Sequence, residues 1–157
     1  MKASELKAIL EDHKLWLNGN GGSRADLLNV NLGDSNLQGA DLRGAMLCGS
    51  SLCGANLQGA NLMEADLQDV YLLDANLKGA NLEEAVCTGT DFRGANLEGA
   101  SLTGAYFQEV NIKDALCGLN LKDVYSFKYA KVSKEHLPWL ALHPLWSSWC
   151  GALKVFP

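Results

Sequence analysis

The groups that could carry chemistry in this chain are few and scattered. His13, His136 and His143 lie towards its ends, away from any cluster of Ser, Cys or paired acids, so their spacing assembles no nucleophile and no general acid–base pair. Cys48, Cys53, Cys87, Cys117 and Cys150 form no CxxC pair, and an odd number at such spacings argues against a disulfide framework. They suit a reducing cytoplasm, with Cys87 and Cys117 serving as small apolar core residues. No glycine array precedes a helix at phosphate-loop spacing. What remains is a set of acids, Asp34, Glu64, Asp69, Asp74, Glu84, Glu109 and Asp114, each a multiple of five residues from the next. That regularity belongs to the backbone that carries them. The chain is therefore predicted to be no enzyme and to need no cofactor or metal.

From Ala25 to Leu119 the sequence repeats every five residues: a small residue, a polar residue, a leucine and a two-residue corner. Ala40-Asp41-Leu42-Arg43-Gly44 and Ala95-Asn96-Leu97-Glu98-Gly99 are two of nineteen copies, and such a period specifies a solenoid. On an extended segment the small residue and the leucine, two apart, face inward, and the polar residue between them faces out. Outward Asp and Asn suit the backbone beside a tight turn. The second corner residue is mostly Gly, which fits the φ > 0 position of a type II turn. Where it is acidic, or Asn29, a different turn type is predicted, because φ > 0 is costly for a residue such as Glu.

A longer period sets the coil. Asn36, Asn56, Asn76 and Asn96 recur every 20 residues, and Val30, Val70 and Val110 replace Ala every 40. Both intervals fit four pentads to a coil. Stacked at about 4.8 Å, the coils would make a rod roughly 23 Å long, with leucines down its centre. Burying each leucine stabilises it by roughly 1.5–3 kcal/mol before entropy is counted.

The tandem A-[DN]-L-x-x motif resembles the pentapeptide repeat family. The resemblance implies an all-β solenoid, a right-handed, four-sided (quadrilateral) parallel β-helix, and residues 25–119 at 20 to a coil make about five coils of it. It also raises an alternative function, since some members resemble duplex DNA and occupy the DNA site of type II topoisomerases. The acidic body favours that alternative. A rod spanning only about 7 base pairs and the absence of inserted loops disfavour it.

A solenoid needs its open ends covered. Ser4 to Leu17 reads as an amphipathic helix with Leu6, Ile9, Leu10, His13 and Trp16/Leu17 on one face and Ser4 as its N-cap. The predicted organisation is an N-terminal helical cap and Gly-rich link over 1–22, the repeat over 23–121, and a Trp-rich cap, helical or irregular, over 122–157. The register breaks at Gly118, and Trp139, Leu142, Trp146 and Trp149 then supply more apolar surface than one coil end needs. Homodimerisation through this end is expected, and a solution mass of one chain would exclude it. The N-terminus lacks the apolar region of a signal peptide, and no run has the length of a membrane span.

The repeat contains thirteen acids and four bases, a balance that opposes direct nucleic-acid binding and favours a basic protein surface. The side bearing the Asn column is uniform. Two other sides vary and present Met46, Tyr71, Leu73 and Tyr106 beside Asp69, Asp74, Glu109 and Asp114. This apolar strip with acidic edges is the candidate face for docking an unidentified protein. The predicted function is a non-enzymatic scaffold or protein–protein interaction module, located in the cytoplasm.

Overall fold

The computed structural model describes residues 1–107, 109–111, 131–133 and 154–156. Its first element, α1, spans Ala3–Leu17. The N-cap is Lys2, whose backbone N–H donates to the Glu5 carboxylate at 3.0 Å. Ser4, the predicted N-cap, lies inside the first turn. An acid three residues into the helix satisfies the N-cap donor and complements the helix dipole, so the serine is not needed. Leu6 and His13 are buried, Ile9, Leu10 and Leu17 half-buried, and Trp16 is exposed. Leu6 joins the core of the coils, and Ile9 and Leu10 pack against it.

From Ala25 onward the chain winds through single-residue parallel bridges between positions 20 apart, from Asp26↔Met46 to Asp91↔Asn111. The pentad Asn56–Ala60 shows why five residues suffice for one side. The Asn56 N–H donates to Ser35 O at 2.9 Å in the preceding coil. Those of Leu57 and Gly59 donate to Asn76 O at 2.7 Å and Lys78 O at 2.9 Å in the following coil, and that of Ala60 closes the corner on Leu57 O at 2.9 Å. The remaining donor, Gln58 N–H, goes to the Asn56 side chain at 3.2 Å. Every backbone N–H of the unit is thus satisfied, as a closely stacked backbone requires. The outward Asn or Asp is part of that accounting, and Asn31, Asp66, Asn81, Asp91 and Asn96 repeat the contact.

The second corner residues from Asn29 to Glu109 share one backbone region. The second residue has φ between 53° and 57° at Asn29, Asp34, Glu64, Asp69, Asp74, Glu84 and Glu109, the same left-handed region occupied by the corner glycines. The expectation of a separate turn type for the acidic corners is therefore corrected. The corner N–H must reach the next coil, as Glu64 N–H reaches Glu83 O at 2.8 Å and Glu84 N–H reaches Thr103 O at 2.9 Å. Holding that ladder outweighs a left-handed penalty of about 1–2 kcal/mol for a side-chain-bearing residue.

The leucines at the centre of each side are buried from Leu27 to Leu102, with the alanines between them buried except for half-buried Ala40. Cys87 and Phe92 replace leucine on adjacent pentads, and Phe92 stacks on Phe107 at 5.3 Å between ring centroids. Beyond the coils, β1 (Lys131–Ser133) and β2 (Lys154–Phe156) pair in parallel. This short strand pair stands where the sequence predicted only helix or irregular chain. Trp139, Leu142, Trp146 and Trp149 lie outside the described residues, as do His136, His143, Cys117, Cys150 and the register break at Gly118. No helix among the described residues is long and apolar enough to cross a membrane.

Candidate protein-interaction face

Two neighbouring sides of the coil carry the candidate residues. One bridge column runs Asp26, Met46, Asp66, Val86, Tyr106; the next runs Asn31, Ser51, Tyr71, Asp91, Asn111. Within one coil the fold brings together Asp69, Tyr71, Leu73 and Asp74: Tyr71 is 52% exposed, both acids are exposed and Leu73 is half-buried. Tyr106, 41% exposed, and exposed Glu109 lie two coils further along, and half-buried Met46 lies on the opposite side of the Tyr71 coil from them. Asp114 is outside the described residues.

The alternation of acid and glycine at the edges of the Tyr71 side has a packing cause. The Asp74 Oδ1 lies 2.1 Å from the position a Cβ on Gly94 would take, and the Asp69 Oδ1 2.3 Å from that of Gly89. Asn29 sits against Gly49 and Asp34 against Gly54 in the same way, at 2.3 and 2.5 Å. A left-handed Asp or Asn lays its side chain over the corner of the next coil, where only glycine leaves room. The corners Gly39, Gly59, Gly79 and Gly99 beside the Asn column have nothing within 4 Å, so they need no such alternation. Gly94→Ala should therefore cost about 1 kcal/mol more than Gly59→Ala. In urea unfolding, the excess should vanish in the Asp74→Gly background; equal costs for the two alanines would show that Asp74 moves aside freely.

The interior of the same corner alternates too: Val30, Ser50, Val70, Thr90, Val110. Ser50 and Thr90 are wholly buried. The Thr90 hydroxyl donates to Leu67 O at 2.6 Å, and that of Ser50 donates to Leu27 O and accepts the Val30 N–H at 2.9 Å. The hydroxyls thus tie one corner to the next. Val30, Val70 and Val110 are visible in the sequence as exceptions to alanine; Ser50 and Thr90 carry the same signal at the same 40-residue spacing and were not singled out.

The charges are unevenly engaged. Arg43 pairs with Asp41 at 2.7 Å, Lys78 with Glu98 at 2.9 Å and Arg93 with Asp91 at 2.6 Å. The Arg24 Nε donates to the Gly44 carbonyl. Hydrogen bonding to Arg43 holds the Asp41 carboxyl below its usual range. Asp34, Glu64, Asp69, Asp74, Glu84 and Glu109 have no salt bridge among the described residues, so the outward field of the coil is negative. Burial, together with Asp66 and Asp69, pushes the Cys48 thiol up; burial and Asp66 do the same to Cys87. Both shifts disfavour the thiolate, the nucleophilic form. Among the described residues no group of His, Cys, Asp or Glu could hold a metal ion.

The sequence pattern of pentapeptide repeats matches residues 25–62, 49–84 and 71–109, with 8 copies. The chain belongs to the pentapeptide-repeat family. Solved members similar to it include Rfr23 from the cyanobacterium Cyanothece 51142, 36% identical over 55% of this chain and 62% of that one, with a TM-score of 0.29. The chain thus spans about three-fifths of Rfr23. The protein alr5209 from Nostoc PCC 7120 is 25% identical over 93% of both chains, with a TM-score of 0.41. QnrB1, a plasmid-mediated fluoroquinolone resistance protein, is 17% identical over 79% of this chain and 74% of its own, with a TM-score of 0.31. No curated protein matches the sequence. Pentapeptide-repeat proteins are generally structural or interaction modules, and the bridges, corners and packed core described above are the repeat of that family at work.

Proposed function

We propose that this pentapeptide-repeat protein is a non-enzymatic interaction module that docks a cytoplasmic protein with a basic surface. In this reading residues 23–121 form a right-handed, four-sided β-helix of about five coils. Residues 1–22 cap one end, and residues 122–157 cap the other and supply a homodimer contact. No nucleic acid or membrane is bound directly. The observation that carries the reading is the coil holding exposed Tyr71 between Asp69 and Asp74, both without salt bridges among the described residues, in a body whose described bases are all engaged. Apolar surface rimmed by one sign of charge favours a complementary partner and speeds its encounter.

The test must respect the corners, because lysine at position 69 or 74 would meet both φ > 0 and the glycine above. Asp69→Asn, Asp74→Asn and Glu109→Asn remove charge while keeping a residue that tolerates the left-handed region. With a basic partner captured from the native cell, the triple variant should associate on the order of tenfold more slowly at low ionic strength. It should show a weaker salt dependence than the wild type and melt where the wild type does. Association of the same partner at an unchanged rate would reject the face.

A further inference from the structure

We propose that His13 is a pH-sensitive latch, holding α1 against the first coil while its ring is neutral and releasing it when the ring takes a proton. The coil creates the need for such a group. Along the coils the N–H of the inward small residue closes the preceding corner, as Ala60 N–H does on Leu57 O, or finds a hydroxyl, as Val30 N–H finds that of Ser50. Ala25 opens the first pentad and has no preceding corner, so its N–H would be a buried orphan. The Nδ1 of His13 accepts it at 3.0 Å. An imidazole nitrogen that accepts an N–H carries a lone pair, so the ring is neutral and its proton sits on Nε2. Protonation at Nδ1 sets two N–H donors against each other, and the contact has to open.

The surroundings make the ring slow to take that proton. His13 is wholly buried, and Trp16 of the same helix stacks on it at 5.4 Å between ring centroids. Nε2 has no hydrogen-bond partner among the described residues. From the coil side the Asp41 carboxylate favours the cation, while the positive charges of Arg24 and Arg43 oppose it. Asp41 is itself gripped by Arg43, whose Nε and Nη2 donate to its two oxygens at 2.8 and 2.7 Å. Burial dominates and lowers the ring below its ordinary 6.5. A depressed histidine pKa means that the unfolded chain binds the extra proton first. The latch's contribution is therefore full above pH 6.5 and is lost as pH falls below it towards the folded value.

The test is an NMR titration of the full chain from pH 8 to 4.5, following the His13 ring and the Ala25 amide. The ring should titrate below 6.5, the Ala25 amide signal should move with the same midpoint, and its exchange protection should fall on the order of tenfold across the transition. A His13 midpoint at or above 6.5, or an Ala25 amide indifferent to it, would overturn the proposal. In His13→Gln, whose side chain can accept the same N–H but does not titrate, the Ala25 response should disappear. A response that persists there would assign it to another group.

Discussion

Gly22→Ala should unfold in urea with about 3 kcal/mol less stability than the wild type, from a single methyl group. Gly22 has φ +73°, which alone penalises a side chain, but the larger effect is contact. A Cβ there would lie 2.2 Å from the Asp12 carbonyl oxygen, 2.8 Å from the Leu15 Cβ and 3.0 Å from the Trp16 nitrogen. Two of these atoms are helix backbone and cannot swing aside, so relief requires moving α1 itself. That displacement would uncover Leu6 and break the bond between His13 and Ala25. Gly21→Ala is the matched control: its φ of +85° carries the same backbone penalty, with nothing within 4 Å. It should cost about 1 kcal/mol. Equal losses in the two variants would mean that the link is not seated on the helix.

Phe92→Ala should cost about 3–5 kcal/mol. The side chain is wholly buried and lies parallel to Phe107 within 10°, a stack that adds to its burial. Its bulk is matched to its neighbour. Cys87, one pentad earlier, holds a place filled elsewhere by leucine, so a large residue stands beside a small one on adjacent sides of the coil. Close-packed interiors tolerate such exchanges when total volume is kept. Alanine at 92 removes the large member and leaves Cys87 too small to fill the gap. The denaturant midpoint should fall with the slope unchanged. Phe92→Leu should lose less than half as much, and a loss from alanine below about 1 kcal/mol would show that the coils collapse around the site.

The inward residues were legible in the sequence because two periods speak for them at once. The leucines alternate with small residues at spacing two, and the Asn and Val exceptions recur at 20 and 40. The corners were legible in place but not in conformation. Asp69 and Glu84, read singly, argue against φ > 0, and only the ladder to Thr88 and Thr103 in the next coil explains why they accept it. Ser50 and Thr90 were missed because their partners, Leu27 and Leu67, lie 23 residues earlier and become neighbours only when the coils are stacked. The exposure of Tyr71 follows from alternation along its side, and that of Asp69 and Asp74 from their place as corner residues. The reason for the alternating edge of the Tyr71 side was not legible, since an Asp side chain resting over a glycine 20 residues later leaves no local trace.

That resting contact also restricts how such a rod can change length. Deleting a glycine-cornered coil, or inserting a second acidic one beside the first, would keep every leucine column in line yet set an Asp or Asn on another of its kind, where two side chains compete for the space of one. Adding or removing two coils would restore the order of acid over glycine. At these two edges the true repeat is therefore forty residues, although the eye first finds five.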